Sequence, residues 1–193
     1  MYNKIYHIFT LSAKGKNLMI LLFAYLFMTV FLLQWSVATL MTNASLSEML
    51  DWHLSYSVDQ VYTLLKAYGS QSREWYILIE LTINTLTPFI YAFLFSFSII
   101  LICNKLRVKE QVSKSVFLLP FAALLADLSE NICIILMLIN YPYKLAMVAK
   151  AANIFTYSKW ILLMANAALI VAGIVIVGFR YIRFKVAPKS VSQ

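Results

Sequence analysis

Apolar residues run almost unbroken through four stretches of the chain, roughly 18–41, 76–102, 116–141 and 154–179, and polar residues collect between them. A bilayer core about 30 Å thick needs about 20 apolar residues at 1.5 Å rise each, so each stretch predicts one transmembrane helix. The first follows Lys4, Lys14 and Lys16 as a signal peptide would. Its apolar run is too long, however, and no small-residue cleavage site follows it, so it reads as a retained helix.

The pattern changes between the first two stretches, over 42–75. Ser57 precedes Gln60 at capping-box spacing, and Val58, Val61, Leu64, Leu65 and Tyr68 then recur at helical intervals until Gly69, a C-cap residue. A second short helix is expected over 46–54, with Leu46, Met49, Leu50 and His53 on one side. Both read as amphipathic helices that lie on the outer membrane surface or lid the bundle. Asn43-Ala44-Ser45 matches the glycosylation triplet, a pattern that recurs by chance. At the other end, Tyr2, Ile5, Tyr6 and Phe9 share one helical face and predict an interfacial anchor.

Composition narrows the class further. Of the 193 residues, 62% are hydrophobic and only 12% charged, and the mean hydropathy is +0.79. A soluble domain carries about twice that share of charge. The expected fold is therefore an all-α integral membrane protein, one four-helix domain spanning 1–193, with an extracytoplasmic helical loop at 42–75. Lys and Arg set its orientation, since cytoplasmic flanks hold the excess. Lys4, Lys14 and Lys16, then Lys105, Arg107, Lys109 and Lys114, then Arg180, Arg183, Lys185 and Lys189 supply eleven of the sixteen. Lys66, Arg73, Lys144 and Lys150 fall in the other two loops. Both termini are thus expected inside. Trp35, Trp75, Tyr76, Tyr141, Tyr143, Tyr157 and Trp160 would form the outer aromatic belt. The net charge of +8 follows from the inside bias and suits anionic lipid, so no direct nucleic-acid binding is expected.

Candidate chemistry lies within the spans, where each ionisable residue costs about 2.5 to 3.5 kcal/mol on insertion scales. Glu80, Asn84, Thr87, Tyr91 and Ser98 share one face of the second span. Asp127, Glu130 and Asn131 share one face of the third, Lys159 and Asn166 lie two turns apart on the fourth, and Gln34 joins from the first. Counted at 1.5 Å per residue, these groups converge in the outer half and middle of the bundle.

Three readings stay open for this cluster. It is a structural network, with Lys159 paired to Glu80 and the amides bridging helices; an ion or proton pathway that uses the carboxylates; or an intramembrane lipid-modifying enzyme with acid and base carboxyls. No histidine pair, nucleophile motif or metal-ligand spacing accompanies the carboxylates. Cys103 and Cys133 form no CxxC pair, and His7 and His53 lack ligand partners at helical spacing. Neither cofactor nor metal is expected. Ala165, Ala168, Ala172 and Gly173 form a small-residue seam for packing within one chain or between subunits.

The length, the four-span plan with both ends inside, and the Phe-, Tyr-, Met-, Ile- and Lys-rich usage resemble the KwaA-type membrane subunit of Kiwa bacterial anti-phage defence systems. The resemblance lies in overall organisation and carries no residue assignments. It implies a non-enzymatic inner-membrane sensor or scaffold that oligomerises and holds a cytosolic effector. Independently of the resemblance, the basic inner flanks give Lys105, Arg107, Lys109, Lys114, Arg180, Arg183 and Lys185 as the expected contacts for a partner or anionic lipid. The alternative is a small ion or proton channel or transporter.

Overall fold

The computed structural model describes residues 2–40 and 49–186. It is helical throughout, with no strand among the described residues, and four helices are long and apolar enough to cross a membrane. The Asn43-Ala44-Ser45 triplet and the start of the expected 46–54 helix, 46–48, lie outside the described residues. Over 49–54 the chain forms a single 3-10 turn, Leu50–Trp52, in place of the helix.

The N-terminal helix α1 (Tyr2–Ser12) leads into the first span, which is made of α2 (Gly15–Leu26), a π-helical segment (Phe27–Leu33) and α3 (Gln34–Leu40). This span buries little within the chain and leaves Phe23, Phe27 and Phe31 exposed and stacked along one face. Such a surface suits lipid.

Helix α4 (Val58–Leu81) opens on the capping box expected at Ser57 and Gln60. It turns at Gly69, whose φ of 75° lies in the left-handed region open to glycine. Residues 58–68 therefore form a separate amphipathic helix. Val61, Tyr62, Leu65 and Tyr68 are buried beneath it as a lid. The Tyr62 hydroxyl takes the Leu145 N–H at 2.5 Å, and Arg73 donates to the Leu65 carbonyl at 2.9 Å, which ties the lid to both neighbouring turns.

The second span runs from residue 70 and breaks at Thr82 (φ −112°, ψ −82°) before α5 (Ile83–Leu106) begins. Pro88 accounts for part of this irregularity, because it lacks the N–H that would bond the Asn84 carbonyl. Threonine hydroxyls take carbonyls around the break: Thr82 donates to Leu78 O and Thr85 to Glu80 O, both at 2.6 Å. Helix α5 ends in a Schellman motif, with Val108 N–H on Cys103 O and Arg107 N–H on Asn104 O. Arg107 occupies the left-handed position (φ 55°) where glycine is usual.

Helix α6 (Glu110–Val116) then leads into α7 (Leu119–Ile139), and α8 (Ala146–Val186) runs unbroken for 41 residues. Helices α7 and α8 share the most extensive packing of the bundle. Gly173 permits the close approach of α8 to α5, since a Cβ there would lie 2.5 Å from Ile102 Cγ2. Of the small-residue seam, Gly173 packs within the chain, while Ala165, Ala168 and Ala172 are exposed.

Helix α1 departs from the expected interfacial anchor. Tyr6 is buried with its hydroxyl on Ser113 Oγ at 2.8 Å, and Phe9 packs among Phe93, Phe97, Phe117 and Phe121. Ile5, Ile8 and Leu11 form its exposed side instead. The docking buries two aromatic rings against the bundle, a larger contact than a headgroup surface supplies.

Candidate functional site

The polar residues of the spans meet beneath the 49–57 segment, and Lys159 lies at their centre. Its ammonium is 2.5 Å from Glu130 Oε2 and 3.4 Å from Asp127 Oδ1, and it donates to the backbone carbonyl of Asp51 at 3.3 Å. The ammonium thus meets two carboxylates and one carbonyl from two separate segments. The expected Lys159–Glu80 pair is not formed. Lysine on α8 reaches α7, its most extensively packed neighbour, while Glu80 Oε1 accepts from Asn84 one turn farther along its own strand of chain at 2.9 Å.

The Asn84 amide also donates to Asp51 Oδ2 at 3.2 Å, and Asp51 Oδ1 accepts from the Tyr76 hydroxyl at 3.0 Å. Tyr76 in turn accepts the Leu50 N–H at 2.9 Å. This residue was expected in the outer aromatic belt, and it is instead wholly buried, holding the 49–52 segment down. Asp127 Oδ2 accepts from the Tyr91 hydroxyl at 3.0 Å. Glu130 Oε1 accepts from Thr156 at 2.5 Å, and the Tyr56 hydroxyl sits 3.2 Å from the same Thr156 oxygen. Burial pushes the Tyr56 phenol well above its ordinary range, which keeps it a neutral donor.

Asn131 closes the gap left by Pro88. Its Nδ2 donates to the Asn84 carbonyl at 2.8 Å, the acceptor that a residue with an N–H at 88 would have satisfied. Asn166 does not join the cluster. It is buried farther along α8, with its amide on Leu162 O at 2.8 Å and its own oxygen unpaired.

The cluster therefore unites Glu80, Asn84, Asp127, Glu130, Asn131 and Lys159 and leaves Asn166 aside. It also recruits Asp51, Tyr56, Tyr76 and Thr156, which sequence reasoning missed. Asp51 carried a signal, as a carboxylate set between two large apolar residues, Leu50 and Trp52. Four carboxyl groups share this site with one ammonium, and burying charge in low dielectric is costly unless each is paired or hydrogen-bonded.

Beside the cluster lies a cavity of about 290 Å³ between the first span, α5 and α8. Asp51, Asp127 and Lys159 face it, together with Tyr25, Trp52 and Trp160. The π-helical segment supplies its outer wall through Thr29, Val30 and Leu33, and Gln34 follows at the start of α3. π-turns within helices occur often at functional sites.

At the opposite end of the bundle Lys105, Arg107 and Lys109 are exposed around the α5–α6 turn. Lys114 is half-buried, paired with Glu110 at 2.7 Å and near the Tyr6 ring. Arg180 donates to the Leu106 carbonyl at 3.1 Å, which brings the end of α8 beside that turn, and Arg183 is exposed one turn beyond. The side chain of Lys185 and the whole of Lys189 lie outside the described residues.

Cys103 and Cys133 are both free and buried, and among the described residues no three His, Cys, Asp or Glu side chains are arranged so as to hold a metal ion. Compared with known protein families, curated proteins and solved structures, the chain matches none.

Proposed function

We propose that this multi-pass membrane protein is a non-enzymatic sensor or scaffold subunit, seated in a bacterial inner membrane with both termini in the cytoplasm. In this reading it oligomerises and holds a cytosolic effector at its basic end. The observation that carries the reading is the position of Lys159. It clamps the 49–57 segment and α7 to α8, and α8 continues unbroken to Arg180 and Arg183. That distance is 21 residues, or about 32 Å at helical rise. A displacement of the clamped segment moves a rigid element whose far end carries the cations.

The excess of Lys and Arg at that end supports the orientation, and the exposed Ala165, Ala168 and Ala172 seam supports association between copies. The resemblance in length and four-span plan to KwaA-type subunits is what points to a role in anti-phage defence. A partner on this surface would be acidic, steered by charges screened over about 8 Å at physiological salt.

Pull-down from gently solubilised membranes tests the reading. The wild type should recover a soluble partner less well as salt rises, and joint replacement of Lys105, Arg107 and Lys109 by Gln should release it without affecting insertion. Recovery of nothing, or of the same protein by the triple variant, refutes it. A cysteine introduced at Ser70 should react with an impermeant reagent in intact cells. The two native thiols are buried and leave that readout clean.

A second reading, a small cation or proton channel or transporter, is favoured by the polar cavity and the four-to-one excess of carboxyl over ammonium groups. Cation flux into proteoliposomes that disappears in both Asp127→Asn and Glu130→Gln, with folding retained, would replace the first reading by this one.

A further inference from the structure

The cavity beside Asp127 has a chemistry that neither a structural clamp nor a bare ion path requires. Its volume of about 290 Å³ sits at the lower end of ligand pockets, which start near 300 Å³, so it suits a small ligand. Four aromatic side chains line it, Tyr25, Trp52, Tyr91 and Trp160, together with the carboxylates of Asp51 and Asp127. Lys159 lies in the same wall, with its ammonium paired to Glu130 and Asp127 and hydrogen-bonded to the Asp51 carbonyl. Thr29 and Thr87 likewise spend their protons on the carbonyls of Tyr25 and Ile83, which leaves lone pairs as their remaining capacity. The wall therefore combines aromatic rings with two carboxylates, with the Tyr25 hydroxyl and the Gln34 amide beside them.

We propose that this cavity binds a small organic ammonium such as choline or ethanolamine, either free or as the headgroup of a phospholipid. The ammonium faces the aromatic rings and the two aspartates, as quaternary and primary ammonium ions do in aromatic cages. An alkali cation has no use for four aromatic walls. A free carboxylate or phosphate would meet Asp51 and Asp127. Binding here does not depend on whether the basic end holds a partner, and the pull-down above decides that question separately.

Tryptophan fluorescence provides the assay, since Trp52 and Trp160 both line the cavity. The protein in phosphatidylglycerol nanodiscs should respond saturably to choline and ethanolamine, and not to sodium chloride at equal ionic strength. Tetramethylammonium should bind comparably, because the aromatic rings and carboxylates recognise the cation. Trp52→Leu should weaken choline binding at least tenfold. Its side chain is partly exposed and takes no part in the Lys159 clamp, so folding should be retained. Asp127→Asn should do the same where its thermal unfolding matches the wild type.

Repeating the titration in phosphatidylethanolamine nanodiscs separates the two sources. Loss of the response, with the lipid retained in native mass spectra, identifies the headgroup; an unchanged response identifies the free amine. Absence of a saturable response in phosphatidylglycerol together with no retained phosphatidylethanolamine overturns the proposal. So does an equal response to sodium, or wild-type affinity in Trp52→Leu.

Discussion

Pro88 and Asn131 provide the sharpest test of how this bundle tolerates an irregular helix at membrane depth. Pro88 leaves the Asn84 carbonyl without its helical donor, and Asn131 supplies one from α7 at 2.8 Å. Asn131→Leu keeps the volume and removes the donor. A buried polar group left without a partner costs ~1–3 kcal/mol. Interhelical hydrogen bonds in membranes average nearer 0.6 kcal/mol, because the unfolded chain also finds partners. Asn131 Oδ1 is itself unpaired, and its removal offsets part of the loss. The expected cost is therefore about 1 kcal/mol, roughly a fivefold shift in the folding equilibrium.

Pro88→Ala restores an N–H at the position from which the Asn84 carbonyl would be bonded in a regular helix. In that background Asn131→Leu should cost less than about 0.5 kcal/mol, because the carbonyl no longer depends on Asn131. Reversible unfolding of the four proteins in mixed micelles, driven by rising dodecyl sulfate fraction, measures the coupling directly. If Asn131→Leu costs the same with and without the proline, the donor-replacement argument is wrong.

Lys159→Met should destabilise the protein by ~3–5 kcal/mol, since it strands Glu130 and Asp127 as buried carboxyls; in the same unfolding assay, Glu130→Gln combined with it should recover part of the loss. Gly173→Ala should cost ~1–3 kcal/mol through the clash with Ile102 Cγ2, and Ile102→Ala should make the alanine at 173 tolerable, which a thermal melt of each variant checks. Arg107→Gly should raise stability by ~0.5–1 kcal/mol, because glycine adopts the left-handed C-terminal position without a Cβ penalty; a decrease would show that the Arg107 side chain makes a contact worth more than that.

Hydropathy alone determined the four helices long and apolar enough to cross a membrane, because a run of apolar residues long enough to span lipid has few other stable uses. The lid helix was equally legible. A capping box, an apolar stripe and a glycine are local signals that depend on no neighbour, and Ser57, Val61, Leu65 and Gly69 each act as their spacing implies. Helical periodicity also put Glu80 with Asn84, and Asp127 with Glu130, on common faces.

Only the tertiary structure decided who pairs with whom. Lys159 takes Glu130 and Asp127 because α8 packs along α7, and depth along separate helices cannot distinguish that from a bond to Glu80. Asp51 and Tyr76 looked like loop and interface residues, since nothing local records that the 49–57 segment folds back into the bundle. The inward docking of Tyr6 and Phe9, the outward alanine seam and the cavity at the π-helical segment have the same origin. Each is set by how helices approach one another in three dimensions, and a one-dimensional pattern gives the faces that are available without saying which face meets which.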